Sequence, residues 1–193
     1  ASFTTNEDTA FKLSGLSVND VDAGAGTITV TLSVGTGTLT AATAGSVTVT
    51  GSGTGSIVLS GTLANINTYL ATAANQPTYN PVVNANGAVT LTMTTNDGGN
   101  TGSGGALSDT DTSTINITAV NDAPVNTVPG ALTVAQNTAG FSVTGLSVSD
   151  VDAGSSNITV TLTVAHGTLT LLTNVAGGIT AGGVSGNNTA SVT

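Results

Sequence analysis

Residues 11–43, FKLSGLSVNDVDAGAGTITVTLSVGTGTLTAAT, align without a gap on residues 141–173, FSVTGLSVSDVDAGSSNITVTLTVAHGTLTLLT, at an offset of 130, and 21 of the 33 positions are identical. At the same offset, SFTTNEDTAF (2–11) lies on LTVAQNTAGF (132–141). Self-similarity at one fixed spacing marks a tandem array, here with a unit near 130 residues and a second unit present only in its first half. The expected organisation is repeat 1 over 1–120, a linker over 121–130 and the first half of repeat 2 over 131–193. Half a unit exposes an open sheet edge and part of a core. The favoured expectation is that the chain continues; the other is that a neighbouring copy supplies the missing strands.

Within the repeat, apolar residues alternate with Thr and Ser. Ile28, Val30, Leu32 and Val34 share one face, and Val47 with Val49, Ile57 with Leu59, Val89 with Leu91 and Met93, and Ile115 with Ile117 continue the pattern. Period-two alternation separated by Gly, Asn and Asp predicts strands with one face in water. TLANINTYLA (62–71) instead places Leu63, Ile66 and Leu70 at helical spacing, which predicts one short helix per repeat. About seven short strands in little over 100 residues argue for an all-β protein built of β-sandwich repeats. AVNDAPVNTVPG closes the unit, and its two prolines mark a stiff linker.

The acids carry the chemistry. One Lys and no Arg face ten Asp and Glu, for a formal charge of −9. That excludes an electrostatic grip on nucleic acid and disfavours an anionic membrane surface. These residues hold no apolar run that spans a bilayer and no signal-peptide pattern, so membrane insertion is not expected of them. Without Cys there is neither a disulfide nor a thiolate metal site. The low-Lys, Thr-rich composition fits an exposed bacterial surface protein.

The acids fall at Glu7 and Asp8, Asp20 and Asp22, Asp97, Asp109 and Asp111, Asp122, and Asp150 and Asp152. Nearly all are expected at strand ends or in loops, with Asp109 and Asp111 just before the last strand. Two carboxylates about 5 Å apart repel by about 3 kcal/mol at an effective dielectric near 20. Lys12 cannot neutralise ten such groups. Carboxylate, amide and carbonyl oxygens in irregular loops select a hard cation, and suit Ca²⁺ better than Mg²⁺. The competing reading is that each DxD pair merely caps a turn. DVDAGAG is no EF-hand, since loop position 12 is Thr31 rather than Glu. GGNTGSGGALSD breaks the nonapeptide β-roll pattern.

INITAVNDAPV (115–125), the two DVDAG loops, TTNDGG (94–99) and NEDTAF (6–11) together resemble the cadherin-like (VCBS-like) tandem repeats of giant bacterial surface adhesins. The likeness covers all of unit one and the first half of unit two. It implies Ig/cadherin-like sandwiches in tandem, with Ca²⁺ between consecutive units stiffening the array into a rod. Carried over by motif, Glu7 belongs to the lower end of unit one, Asn121 and Asp122 to the linker, and Asp150 and Asp152 to the upper end of unit two. Asp20, Asp22 and Asp97 form the equivalent upper end of unit one, with Asp109 and Asp111 as further candidates there. The mid-domain acidic motif of animal cadherins is absent and Asn137 replaces Glu7 in unit two, which implies fewer or weaker ions.

The resulting expectation is a non-enzymatic, calcium-binding extender of a bacterial extracellular or cell-surface adhesin, a spacer in adhesion or biofilm formation. Its partners are neighbouring repeats of the same chain and other copies in a fibre. The alternative is a subunit of an extracellular filament or sheath completed by strand exchange between copies. His166, the single histidine, has no acid beside it in the sequence, and no GxSxG, HExxH or phosphate loop occurs. Tyr69 and Tyr79 are expected in packing rather than on a sugar platform, so a carbohydrate-binding module ranks last. Asn116, Asn157 and Asn187 fit the glycosylation sequon but arise easily in Thr-rich strands.

Overall fold

The computed structural model describes residues 2–100 and 103–193. The protein is mostly β, and its contacts divide it into two units, Ala1–Asn121 and Asp122–Thr193.

Unit 1 carries the strands β1 (Ser2–Asn6), β2 (Phe11–Lys12), β3 (Thr27–Val34), β4 (Thr38–Thr40), β5 (Thr48–Thr50) and β6 (Ser56–Thr62). The helix α1 (Leu63–Ala71) follows, then β7 (Thr78–Asn80), β8 (Gly87–Asn96) and β9 (Ser108–Thr118). Six strands form one sheet in the order β1-β9-β8-β3-β6-β5, and three form another in the order β2-β7-β4. All pairings in the larger sheet are antiparallel except β1 with β9, which run parallel from Ser2↔Thr114 to Asn6↔Thr118.

The alternation in the sequence becomes the inside and outside of this unit. Ile28, Val30 and Leu32 of β3 are fully buried while the Thr residues between them are not. One apolar cluster takes Ile57 and Leu59 from β6, Leu91 from β8 and Ile115 from β9, together with Leu39 and Tyr79 of the three-stranded sheet. The core is aliphatic apart from Tyr69 and Tyr79, both buried, so neither offers a surface for stacking a sugar ring.

α1 begins where Thr62 ends β6: the Thr62 hydroxyl accepts from the Asn65 N–H, satisfying a helix-end donor. Ile66, Tyr69 and Leu70 turn inward at helical spacing. Beyond the helix C-terminus, Lys12 Nζ donates to the carbonyls of Ala73 and Ala74. Asn67 grips the chain elsewhere. Its Oδ1 accepts from the Val18 N–H at 2.9 Å and its Nδ2 donates to the Val18 carbonyl at 2.8 Å. That clamp fixes the backbone two residues before Asp20.

Unit 2 is built differently. β10 (Val125–Thr127) pairs antiparallel with β11 (Ser147–Ser149), and β12 (Leu162–Thr163) with β13 (Ser191–Val192). The expected strand NITVTLTV (157–164) is corrected to the two residues of β12. In unit 1 the matching strand β3 has β6 on one side and β8 on the other. Here its partner among the described residues is β13, over two residues, and an unpaired backbone does not hold a ladder. No helix among the described residues is long and apolar enough to cross a membrane.

Candidate metal centre

The strand register sets where the acids of unit 1 lie. β8 and β9 pair from Gly87↔Ile117 at one end to Asn96↔Ser108 at the other, a span of about 30 Å at the usual rise per residue. Glu7 follows β1, where its N–H donates to the Thr118 carbonyl, so it sits at the Gly87 end. Asp97 follows β8, and the Asp20–Asp22 loop leads into β3, whose Thr29 pairs with Asn96. These three acids belong to the opposite end.

There, Asp20, Asp22, Asp97, Asp109 and Asp111 line one open depression of about 520 Å³, together with Val18, Met93 and Leu107 among others. Asp109 and Asp111 do not precede the last strand, as expected from the sequence; they lie within β9, opposite Thr95 and Met93. Alternation on β9 puts both on the same face of the strand. The depression gathers the acids without closing them into a cage: no three of these five bring carboxylate oxygens within 4.8 Å of one another.

Two sets of backbone donors shape the site. Asp20 Oδ1 accepts from the N–H groups of Asp22 (3.1 Å) and Ala23 (3.0 Å), a turn closed by the side chain. Asp97 Oδ1 accepts from Gly99 and Leu107, each at 2.8 Å, across the loop that joins β8 to β9. Those two bonds hold the Asp97 carboxyl below the usual carboxylate range. Gly98 and Gly99 adopt φ of +69° and +74°, which lets the loop curl back onto Asp97.

Asp22 behaves in the opposite way. Its carboxyl is pushed above the usual range, first by a hydrogen bond it shares with the Asp20 carboxyl, next by desolvation, then by the Asp20 charge. The Asp97 charge adds to the rise, and a backbone hydrogen bond opposes it. Two carboxylates close enough to share a proton are also close enough to share a cation.

The second DVDAG is folded as the first. Asp150 Oδ1 accepts from Asp152 N–H (2.9 Å) and Ala153 N–H (3.0 Å), and Gly154 has φ of +51° where Gly24 has +54°. The turn-capping reading thus accounts for one oxygen of the first Asp in each pair. Asp22 and Asp152 are both exposed. In unit 2, Asp152 Oδ2 accepts from the Asp122 N–H. Asn121, the last residue of unit 1, is exposed.

Glu7 is the acid whose surroundings sequence reasoning missed. It is 3% exposed, with Oε1 accepting from the Val120 N–H at 2.7 Å and Oε2 from Asn86 Nδ2 at 3.5 Å. Beside it in sequence, Asp8 accepts from the Asn84 N–H at 2.8 Å. The Asn86 contact was not visible in the sequence, because Asn86 is 79 residues from Glu7 and belongs to no acidic motif. His166 is exposed in unit 2. Comparison with protein families, characterised proteins and solved structures finds no match to this chain.

Proposed function

We propose that this chain is a non-enzymatic, calcium-binding spacer of an extracellular bacterial surface adhesin, whose consecutive cadherin-like repeats are stiffened by Ca²⁺ bound at their ends. In this reading the six-stranded and three-stranded sheets are the two layers of an Ig/cadherin-like sandwich. The core they share supports that assignment.

The observation that carries the reading is the depression lined by five carboxylates, in a chain whose single Lys is occupied with backbone carbonyls. Asp20, Asp22, Asp97, Asp109 and Asp111 would serve an ion at the upper end of unit 1. Glu7, Asn121, Asp122, Asp150 and Asp152 would serve the boundary with unit 2. Support for the latter is local to each unit: Glu7 is bonded to Val120, two residues before Asp122, and Asp122 is bonded to Asp152. Oxygen-only donors on loops match the preferences of Ca²⁺.

Extracellular sites with a dissociation constant of about 10⁻⁴ M each stabilise by about 1.4 kcal/mol at about 1 mM free calcium. That is small against the stability of a domain and large against the freedom of a hinge. Calcium therefore governs rigidity between units more than the folding of either. Isothermal titration of the chelator-treated chain with calcium tests the binding step. The reading expects saturable binding that weakens about tenfold or more in Asp22→Asn and Asp152→Asn; heats indistinguishable from buffer dilution would refute it.

The apolar surface of unit 2 favours a second reading, a filament subunit completed by strands of other copies. Val143, Ile158 and Val160 are each about 40% exposed, where their counterparts Leu13, Ile28 and Val30 are fully buried. Sizing across a concentration series separates the two, since strand exchange gives assemblies that grow with concentration whether or not calcium is present.

A further inference from the structure

The buried acid of unit 1 rests on an asparagine that sits in an exceptional sequence setting. Asn86 donates its side-chain amide to Glu7, and Gly87 follows it, the only Asn–Gly step in the chain. A glycine after asparagine has no side chain to hinder attack of its backbone nitrogen on the amide carbon. Both residues are exposed, Gly87 has φ of +105°, and nothing lies within 4 Å of where its Cβ would be. Gly87 is the first residue of β8, so the Asn86–Gly87 step lies at the end of the ladder and not within it.

We propose that Asn86 is a site of spontaneous deamidation, and that its conversion turns the donor on Glu7 into a second carboxylate. The Gly87 nitrogen bonds to Asn86 Cγ, the Cγ–Nδ2 bond breaks, and ammonia leaves with the proton of the Gly87 amide. Water then opens the succinimide at either carbonyl, giving an aspartyl or isoaspartyl residue. No oxidant or reductant takes part.

The consequence follows from burial. Glu7 keeps the Val120 N–H but loses the Asn86 donor and gains a like charge, which is costly for an enclosed carboxylate. A divalent cation offsets that cost by accepting both carboxylates, so ageing makes this end of unit 1 more dependent on calcium. The calcium part rests on the reading given above; the modification and its cost in chelator do not.

The test ages the full chain in mildly alkaline buffer, maps it by peptide mass spectrometry and melts it in EDTA and in calcium, beside Asn86→Asp and Asn86→Gln. The expected result is a gain of about one dalton confined to the peptide holding Asn86. Aged chain and Asn86→Asp then melt about 4 °C or more lower in EDTA, calcium narrows the gap, and Asn86→Gln ages without either change. Retention of the Asn86 amide in the aged folded chain overturns the inference. So does full conversion with an unchanged melt in EDTA. Conversion with a lower melt in EDTA that calcium does not narrow supports the inference, and counts instead against a calcium role for Glu7.

Discussion

Ile28 and Ile158 occupy the same position of the same motif, yet the first is fully buried and the second is 40% exposed. Val30 and Val160 differ in the same way. The DVDAG loops just upstream do not differ: in both units the first Asp closes the same turn onto the next N–H groups. The contrast separates two kinds of structure. A side chain that folds a turn onto its own neighbours needs no distant partner. A strand needs a partner to bond with, and β3 obtains two, β6 and β8, 23 to 67 residues further along the chain by the register pairs Ser33↔Ser56 and Thr29↔Asn96.

The segment before each loop teaches the same lesson. Ser147–Ser149 forms β11 against Val125–Thr127, whereas its counterpart Ser17–Asn19 is not a strand and is held by Asn67 of α1. Nearly identical residues take the partner that their surroundings provide.

The largest test of the comparison is a pair of truncations. Ile28→Ala removes a fully buried side chain and is expected to cost about 3 kcal/mol, whereas Ile158→Ala is expected to cost less than about 1 kcal/mol. Urea unfolding followed by circular dichroism measures both, and equal losses would erase the distinction between the units. Next in size is Asn67→Ala, which deletes both bonds to Val18 and is expected to cost about 1–2 kcal/mol. Hydrogen exchange should then quicken at Val18 and at the amides of Asp22 and Ala23, while Asp152 and Ala153 keep their rates.

A subtler effect follows from the two shifted carboxyls. Asp22 titrates above 3.8 in the folded chain, so its ionised form costs stability, and that cost is relieved as pH falls through its folded value. Asp97 titrates below 3.8, so the stability it lends is full above 3.8 and is lost as pH falls further. In chelator, the urea midpoint of unit 1 is expected to rise on mild acidification and then to fall below about pH 3.8. Asp22→Asn should abolish the rise and keep the fall.

Much of unit 1 was readable because its signals are local. The alternation located the core faces of β3, β6, β8 and β9, and the spacing of Leu63, Ile66 and Leu70 located the helix. Pairing was not readable. Nothing in SFTTN says that it lies parallel to Thr114–Thr118, since alternation fixes a face and not a neighbour. Asp109 and Asp111 precede the alternation of Ile115 and Ile117 that marks the strand in the sequence, but ten register pairs with β8 carry them into it. The burial of Glu7 depends on Val120 and Asn86, 113 and 79 residues away. In unit 2 the alternation of 157–164 promised a strand that forms over only two residues, since periodicity reports a capacity to pair and not a partner.

The account stands most directly on whether calcium restrains one unit against the other. Spin labels placed on β6 of unit 1 and on β11 of unit 2 give that distance distribution by pulsed electron resonance, with calcium and with EDTA. A distribution that narrows on adding calcium, and that stays broad in Asp122→Asn combined with Asp152→Asn, is the predicted result. Identical distributions under the two conditions would contradict it.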